Sequence, residues 1–342
     1  MSRPLLLWEP AIYEHKAALI GQSVDAISRS STLLRQAMEA EYEAYRADYL
    51  TVGVDIYNLE AEACGAVVKT LGHEACPEIE KPLWSLESLP HVLTLPDVSR
   101  AGRFSVMVET AQRIMPLLGH ICRIRVAGSG PASIAAKLVG LEPLVLGLVT
   151  DDPAAERVLD FSTALALQWC RRLRAVGLEV ILFDSAASPP MFSPSLYDHQ
   201  ILPRHQELMA FLKQSGQTDR VLIMGGDTTA ILPQLAGCGA TTLLSDYVSN
   251  AHRFAELLPS PNRLTIRRNV NPRLFETGGN LAESAAQQFC SDLSAFASTN
   301  TNARPIAGTG VLPYRADPVL FQRFRKQVEK IWAHQCIETR SQ

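Results

Sequence analysis

Apolar positions along this chain alternate between two spacings. Residues 15–45 follow a helical repeat, with Ile20, Val24, Ile27, Leu33, Leu34 and Met38 on one side. Short apolar, β-favouring runs then appear at 49–56, 66–71, 121–126, 178–183, 220–224, 241–244, 264–267 and, more weakly, 305–307. Between them the helical repeat returns at 104–118, after Pro131, from 151 to about 176, and at 203–214, 281–296 and 318–334. Pro131 suits the first turn of a helix, where its missing N–H costs nothing. Residues 72–95, rich in Pro, Glu and Ser, read as an excursion. Short strands alternating with amphipathic helices pair in parallel. About eight such units predict a (β/α)8 TIM barrel over 48–342, with a helical extension over 1–47, all one domain.

Composition narrows the setting more than the function. With 342 residues, 47% of them hydrophobic and 20% charged, the chain has ample apolar material for a full core. A net charge of −3 gives no electrostatic case for nucleic acid or an anionic membrane as partner. The seven cysteines are scattered, odd in number and without a CxxC, which suggests neither a disulfide framework nor a zinc ribbon. A reduced, cytoplasmic location is expected. The apolar patch Leu5-Leu6-Leu7-Trp8 meets Glu9 and Pro10 too soon for a signal-peptide core. No apolar run reaches the length of a membrane span.

Candidate chemistry collects where strands end. The stretch from Gly53 to Gly65 places Asp55, Tyr57, Asn58, Glu60 and Glu62 directly after an apolar run. Strand interiors do not accumulate carboxylates, because burying unpaired charge is expensive. A strand end opening into a site can hold them. Asp184, Asp227, Asp246 and Asn269 stand in the same position after other strands. In a TIM barrel all five endings would lie on the catalytic rim. Each of them alone could equally be a helix cap or turn residue. The Gly-rich turns Gly128-Ser129-Gly130 and Gly225-Gly226 could offer backbone N–H groups to a phosphate, or simply make tight strand-to-helix turns.

These residues, in this order, resemble the uroporphyrinogen decarboxylase superfamily, which holds haem-pathway decarboxylases and cobalamin-dependent methyltransferases. The segment from Asp55 to Gly65 is similar to the methyltransferase branch. Gly130-Pro131 resembles the family's GP turn. Phe183-Asp184-Ser185, Phe192-Ser193-Pro194, Gly226-Asp227-Thr228-Thr229, Ser245-Asp246, Asn269-Val270-Asn271-Pro272 and Gly308-Thr309-Gly310 recur in family order. Departures matter too. The arginine-rich segment that receives porphyrin carboxylates in the decarboxylases is replaced by Leu7-Trp8-Glu9-Pro10-Ala11-Ile12-Tyr13, and the histidine of their GHG turn is Thr309. The His-X-Cys…Cys zinc ligands of the coenzyme M methyltransferases fall on Ile223, Gly225 and Val311, none of which can ligate.

The resemblance therefore implies a methyltransferase of a corrinoid system, moving a methyl group between cobalamin, carried on a partner corrinoid protein, and a small molecule. Asp55, Glu60, Glu62 and Asp184 are expected as catalytic residues. Tyr57, Asn58, Ser185, His199, Asp227, Asp246 and Asn269 are expected around the substrate, with Met191 and Phe192 at an apolar mouth. Any zinc would need Glu60, Glu62, Asp184 and His199 instead of the usual ligands. A homodimer is a further expectation. The alternatives are a decarboxylase-like lyase acting on a tetrapyrrole through Asp55, and a corrinoid- or tetrapyrrole-binding barrel without catalysis.

Overall fold

Seven of the eight expected strands stand in the barrel, and the eighth comes from the segment expected to be purely helical. The computed structural model describes residues 6–259, 264–276, 283–299 and 305–338. In chain order the strands are β1 (Leu7–Glu9), β2 (Tyr49–Val52), β3 (Val68–Lys69), β4 (Glu78–Ile79), β5 (Arg123–Ser129), β6 (Glu179–Phe183), β7 (Val221–Ile223), β8 (Thr242–Ser245), β9 (Thr265–Val270) and β10 (Ile306–Thr309). Eight of them form one parallel sheet in the order β1-β10-β9-β8-β7-β6-β5-β2. Its two edges, β1 and β2, are laced together by Asp48. The Asp48 N–H donates to the Trp8 carbonyl (2.9 Å) and its side chain accepts from the Trp8 N–H (2.7 Å). The result is a (β/α)8 barrel, nearly closed by hydrogen bonds.

Three expectations need correction. Residues 66–71 do not enter the barrel; β3 pairs antiparallel with β4 of the excursion as a small ribbon. The 15–45 helix is three helices, Glu14–Ala18, Val24–Ser28 and Ser31–Tyr45. Gly21 (φ +65°) breaks the first, and Ser23 and Ser30 cap the next two by accepting the Ala26 and Leu33 N–H groups. The apolar repeat runs on regardless, because all three helices bury one face against the same core. Finally, the extension supplies β1. The start of the expected 281–296 helix falls partly on 281–282, outside the described residues; Glu283–Thr299 is helical.

Side chains alternate in and out along each barrel strand. On β9, Arg267 and Asn269 face inward, while Arg268 faces out to Asp292 of the helix Glu283–Thr299 (2.8 Å). The floor of the barrel is ionic. Glu9 on β1 forms an ion pair with Arg125 of β5 (2.5 Å) and accepts from Arg267 of β9 (2.9 Å), and Arg125 also reaches Asp219 (3.2 Å). All but Asp219 are buried to within a few per cent. Among the described residues no single helix is long and apolar enough to cross a membrane.

Removing one partner of a buried ion pair leaves the other charge uncompensated, typically at about 3–5 kcal/mol. Glu9→Gln, which leaves Arg267 without a carboxylate and Arg125 with Asp219 alone, is expected to lower the urea-unfolding free energy by about that much; a loss below ~1 kcal/mol would show that the network is not closing the barrel.

Candidate functional site

A cavity of about 440 Å³ opens at the C-terminal ends of the strands. The in–out alternation decides which side chains line it. Phe183 and Ser185 on β6 and its exit, Ile223 and Gly225 on β7 and its exit, Leu244 and Asp246, and Arg267 and Asn269 all face the hollow. Val54, Asp55, Tyr57 and Asn58 enter from the segment after β2. Of the expected site residues, the fold thus brings together Asp55, Tyr57, Asn58, Ser185, Asp246 and Asn269.

Asp55 is the most constrained carboxylate on this wall. Its Oδ2 accepts from Arg103 (2.6 Å) and its Oδ1 from the Asn58 amide (2.5 Å). Burial raises its pKa above the ordinary aspartate range, and the pull of Arg103 and Asn58 only partly opposes that. Across the cavity the Tyr57 hydroxyl meets Ser185 Oγ (2.8 Å), which also accepts the Gly225 N–H (2.9 Å). Burial pushes the Tyr57 phenol up to about 12, so it stays protonated as a donor.

The remaining expected residues point elsewhere. Asp184 follows Phe183 by one position and so faces outward. It caps the helix Pro131–Val139 by accepting the Ser133 N–H (2.6 Å), and it binds His205 Nε2 (2.8 Å). Glu60 is fully buried against Ser129, accepting its N–H (2.8 Å). Glu62 is held by Arg103 (2.5 Å). His199 is exposed, its Nδ1 donating to the Ser195 carbonyl (2.8 Å). Asp227 is exposed and caps Thr229 (3.0 Å). Phe192 is in the core and Met191 in solvent, neither of them at the cavity. The metal set Glu60, Glu62, Asp184 and His199 is therefore dispersed, and no cluster of three or more potential ligands occurs among the described residues. Nor are the Gly-rich turns free to hold phosphate. Ser129, Gly130, Gly225 and Gly226 donate their N–H groups to Glu60, the Phe183 carbonyl, Ser185 and Asp246.

Residues outside the expected set complete the lining. Tyr13 and Glu14 follow β1, Cys76 comes from the excursion, Lys137 from the helix Pro131–Val139 and Arg267 from β9. Cys76 donates to Glu14 Oε1 (3.4 Å). Burial pushes the Cys76 thiol well up, and burial with Asp55 nearby raises Glu14. An arginine inside an apolar strand was the available signal for Arg267. Glu14 and Cys76 gave none, since both sit in segments whose direction depends on the seam between β1 and β2.

Three positions turn the geometry into a family signature: Ile223, Gly225 and Val311, read above as the sites of the missing zinc ligands, all line this one cavity. Residues 10–297 match the family described as Uroporphyrinogen decarboxylase (URO-D). The chain belongs to the uroporphyrinogen decarboxylase family. Over 144 residues this URO-D chain is 26% identical to the methylcobamide:CoM methyltransferase MtaA of Methanosarcina barkeri, and 24% identical to that of its strain Fusaro / DSM 804. Each match spans 42% of this chain and 41% of the relative's length. A solved methyltransferase from Methanosarcina mazei shares the fold, with a TM-score of 0.79 at 16% identity, over 97% of this chain and 95% of that one. Within the URO-D family the likeness thus runs to the methyltransferase branch.

Glu60 offers a direct test of this assignment of roles. The Ser129 hydroxyl has one hydrogen but contacts two oxygens, the Ile56 carbonyl (2.7 Å) and Glu60 Oε2 (2.8 Å). Ser129 Oγ can donate its hydrogen fully to only one of them at a time. Burial raises the Glu60 pKa above the ordinary glutamate value, so the folded group holds its proton to higher pH than the unfolded one. Above the unfolded value near 4.5 the unfolded chain gives up this proton first, so the contribution of Glu60 to stability falls as pH rises, until the folded group ionises too. Glu60→Gln keeps both hydrogen bonds without the ionisable proton. It is expected to fold normally and to lose stability less steeply above pH 4.5 in denaturant titrations; an unchanged slope would mean that Glu60 is ionised in the native state.

Proposed function

We propose that this chain is a methyltransferase of a corrinoid-dependent system whose cavity holds the small methyl donor or acceptor, with Asp55 handling its proton. The observation that carries this is the convergence of Asp55 and the three altered ligand positions on one hollow. The named relatives, methylcobamide:CoM methyltransferases, add support. A hollow of 440 Å³ suits a small molecule rather than a corrin macrocycle. The corrinoid, on a partner protein, would meet the substrate at the mouth, beside the exposed Tyr247 and Val311. When bound there it supplies or receives the methyl group. Ile, Gly and Val at the zinc positions carry no donor atoms, so no step is routed through zinc.

What falls to this chain is orientation and charge. A heteroatom that accepts methyl must lose its proton, and one that releases methyl must gain one. Asp55, its pKa raised by burial against the pull of Arg103 and Asn58, is suited to both directions. Tyr57 and Ser185 present hydroxyls to the same space and would fix the substrate's angle for in-line displacement. The decarboxylase alternative fits less well. A polycarboxylate needs several free cations, and among the described residues the lining offers only Lys137 and Arg267, the latter already held by Glu9.

Asp55→Asn is expected to lower the rate of methyl transfer between methylcobalamin and small thiols, amines or phenols by about 100-fold or more, with the circular dichroism spectrum unchanged. Wild-type rates in that variant would remove Asp55 as proton handler. Porphyrinogen decarboxylation by the wild-type chain, without any methyl transfer, would overturn the whole reading.

A further inference from the structure

Asp55 does not have its counter-ion to itself. Arg103, 5% exposed, donates through Nη2 to Asp55 Oδ2 (2.6 Å) and through Nε to Glu62 Oε2 (2.5 Å). A guanidinium fork can grip one carboxylate with two parallel hydrogen bonds. Here the fork is divided between two carboxylates. The backbone enforces the sharing. Gly102 has a positive φ (+53°), and a Cβ on it would stand 3.2 Å from the Ala63 backbone nitrogen. The turn before Arg103 is thereby pressed against the helix Leu59–Ala63, which carries Glu62, while Asp55 reaches the same guanidinium from the exit of β2.

The line of charge continues outward. Glu62 also faces Arg29 (3.6 Å), which pairs with Asp25 (2.9 Å). From cavity to surface the order is Asp55, Arg103, Glu62, Arg29, Asp25, each opposite in sign to the one before. Glu14, Glu60 and Cys76 also bear on Asp55, and none of them is a cation. Arg103 is thus the cation in contact with Asp55, and Glu62 is the group that competes for it. When Asp55 is ionised, Arg103 neutralises it. When Asp55 is protonated, Arg103 still has Glu62, so no buried cation is stranded.

We infer that Arg103 is the positioning residue of the site and Glu62 its competitor, the shared guanidinium holding the Asp55 carboxylate in one orientation while leaving it free to take up and release a proton. The inference rests on the reading of Asp55 as proton handler only for its purpose; the charge sharing itself is measurable without turnover. Its signs are opposite for the two partners. Losing Glu62 removes a repelling anion and leaves Arg103 wholly to Asp55, which favours the carboxylate. Losing Arg103 removes the attraction and keeps the repulsion, which favours the acid.

Carboxyl-carbon NMR of the full chain, labelled at the aspartate carboxyl and assigned by the signal lost in Asp55→Asn, reads the Asp55 proton directly. Glu62→Gln should move its midpoint down by about half a pH unit or more, and Arg103→Gln should move it up by about one unit or more, with each fold checked by circular dichroism. Shifts in the same direction, or none in Glu62→Gln, would overturn the inference. Glu62→Gln leaves Arg103 in place and decides the matter alone if Arg103→Gln does not fold. The pH profile of methyl transfer from methylcobalamin is then compared across wild type and variants with one acceptor, whose own ionisation is common to all. With Asp55 as base, the acid limb follows the NMR midpoints. No transfer, or an acid limb that stays fixed while the midpoints move, would sink the role of Asp55 in methyl transfer and leave the charge sharing standing.

Discussion

One carboxylate, Glu9, holds two arginines that come from opposite sides of the barrel. It sits on β1, at the seam where the ring of backbone hydrogen bonds is interrupted, and reaches Arg125 on β5 and Arg267 on β9. Three strands distant in sequence are thereby fixed to one point in the low-dielectric interior, where misplacing any of the charges costs several kcal/mol. The seam has little else: one backbone hydrogen bond, the Asp48 side chain and the packing of Trp8 against Phe321 and Phe324. The clamp also sets the floor of the cavity, because Arg267 belongs to both. Glu9, within the segment that stands in place of an arginine-rich one, is part of what closes the barrel.

The elements were legible because strand and helix periods differ so sharply here. The helix Phe104–Leu118 agrees with its expected limits, and Pro153–Ala175 ends within a residue or so of them. β1 was not legible. Three residues ending in Glu and Pro carry no periodicity, and only pairing with β10, some three hundred positions later, makes them a strand. The site was legible in part, for a reason rooted in geometry. Polar residues after strands do gather at one rim, but a strand's two faces lead to different places. Phe183 and Ser185 look into the cavity while Asp184, between them, looks out to a helix end. Which parity faces inward depends on register, and register belongs to the whole sheet.

Glycine shows the same dependence on neighbours. Gly130 has an ordinary φ of −82°, so backbone freedom is not what it contributes. A Cβ there would overlap the Asp184 carboxyl. The Gly-Pro turn thus exists so that a carboxylate from the next strand can reach the N-terminal N–H groups of the helix Pro131–Val139, where the helix dipole favours it.

That separation of scaffold from chemistry bears on the altered zinc positions. Ile223, Gly225 and Val311 still line the cavity, so the backbone that would present ligands is intact while the donors are gone. If nothing replaced them, the hollow would be left with an apolar wall and no way to lower the proton affinity of an acceptor atom. Yet across it stands Asp55, on a segment that carries none of those three positions. Metal activation stabilises an anion once the proton has left; a buried carboxylate instead takes the proton, and therefore suits nucleophiles that are neutral after losing one. Ammonium becoming amine is such a case. A thiol is not, because the negative charge then moves from Asp55 to sulfur and stays in the buried site without a metal to hold it. Under the methyltransferase reading, a cavity with no donor atoms at Ile223, Gly225 and Val311 and with Asp55 in its lining favours nucleophiles that end neutral.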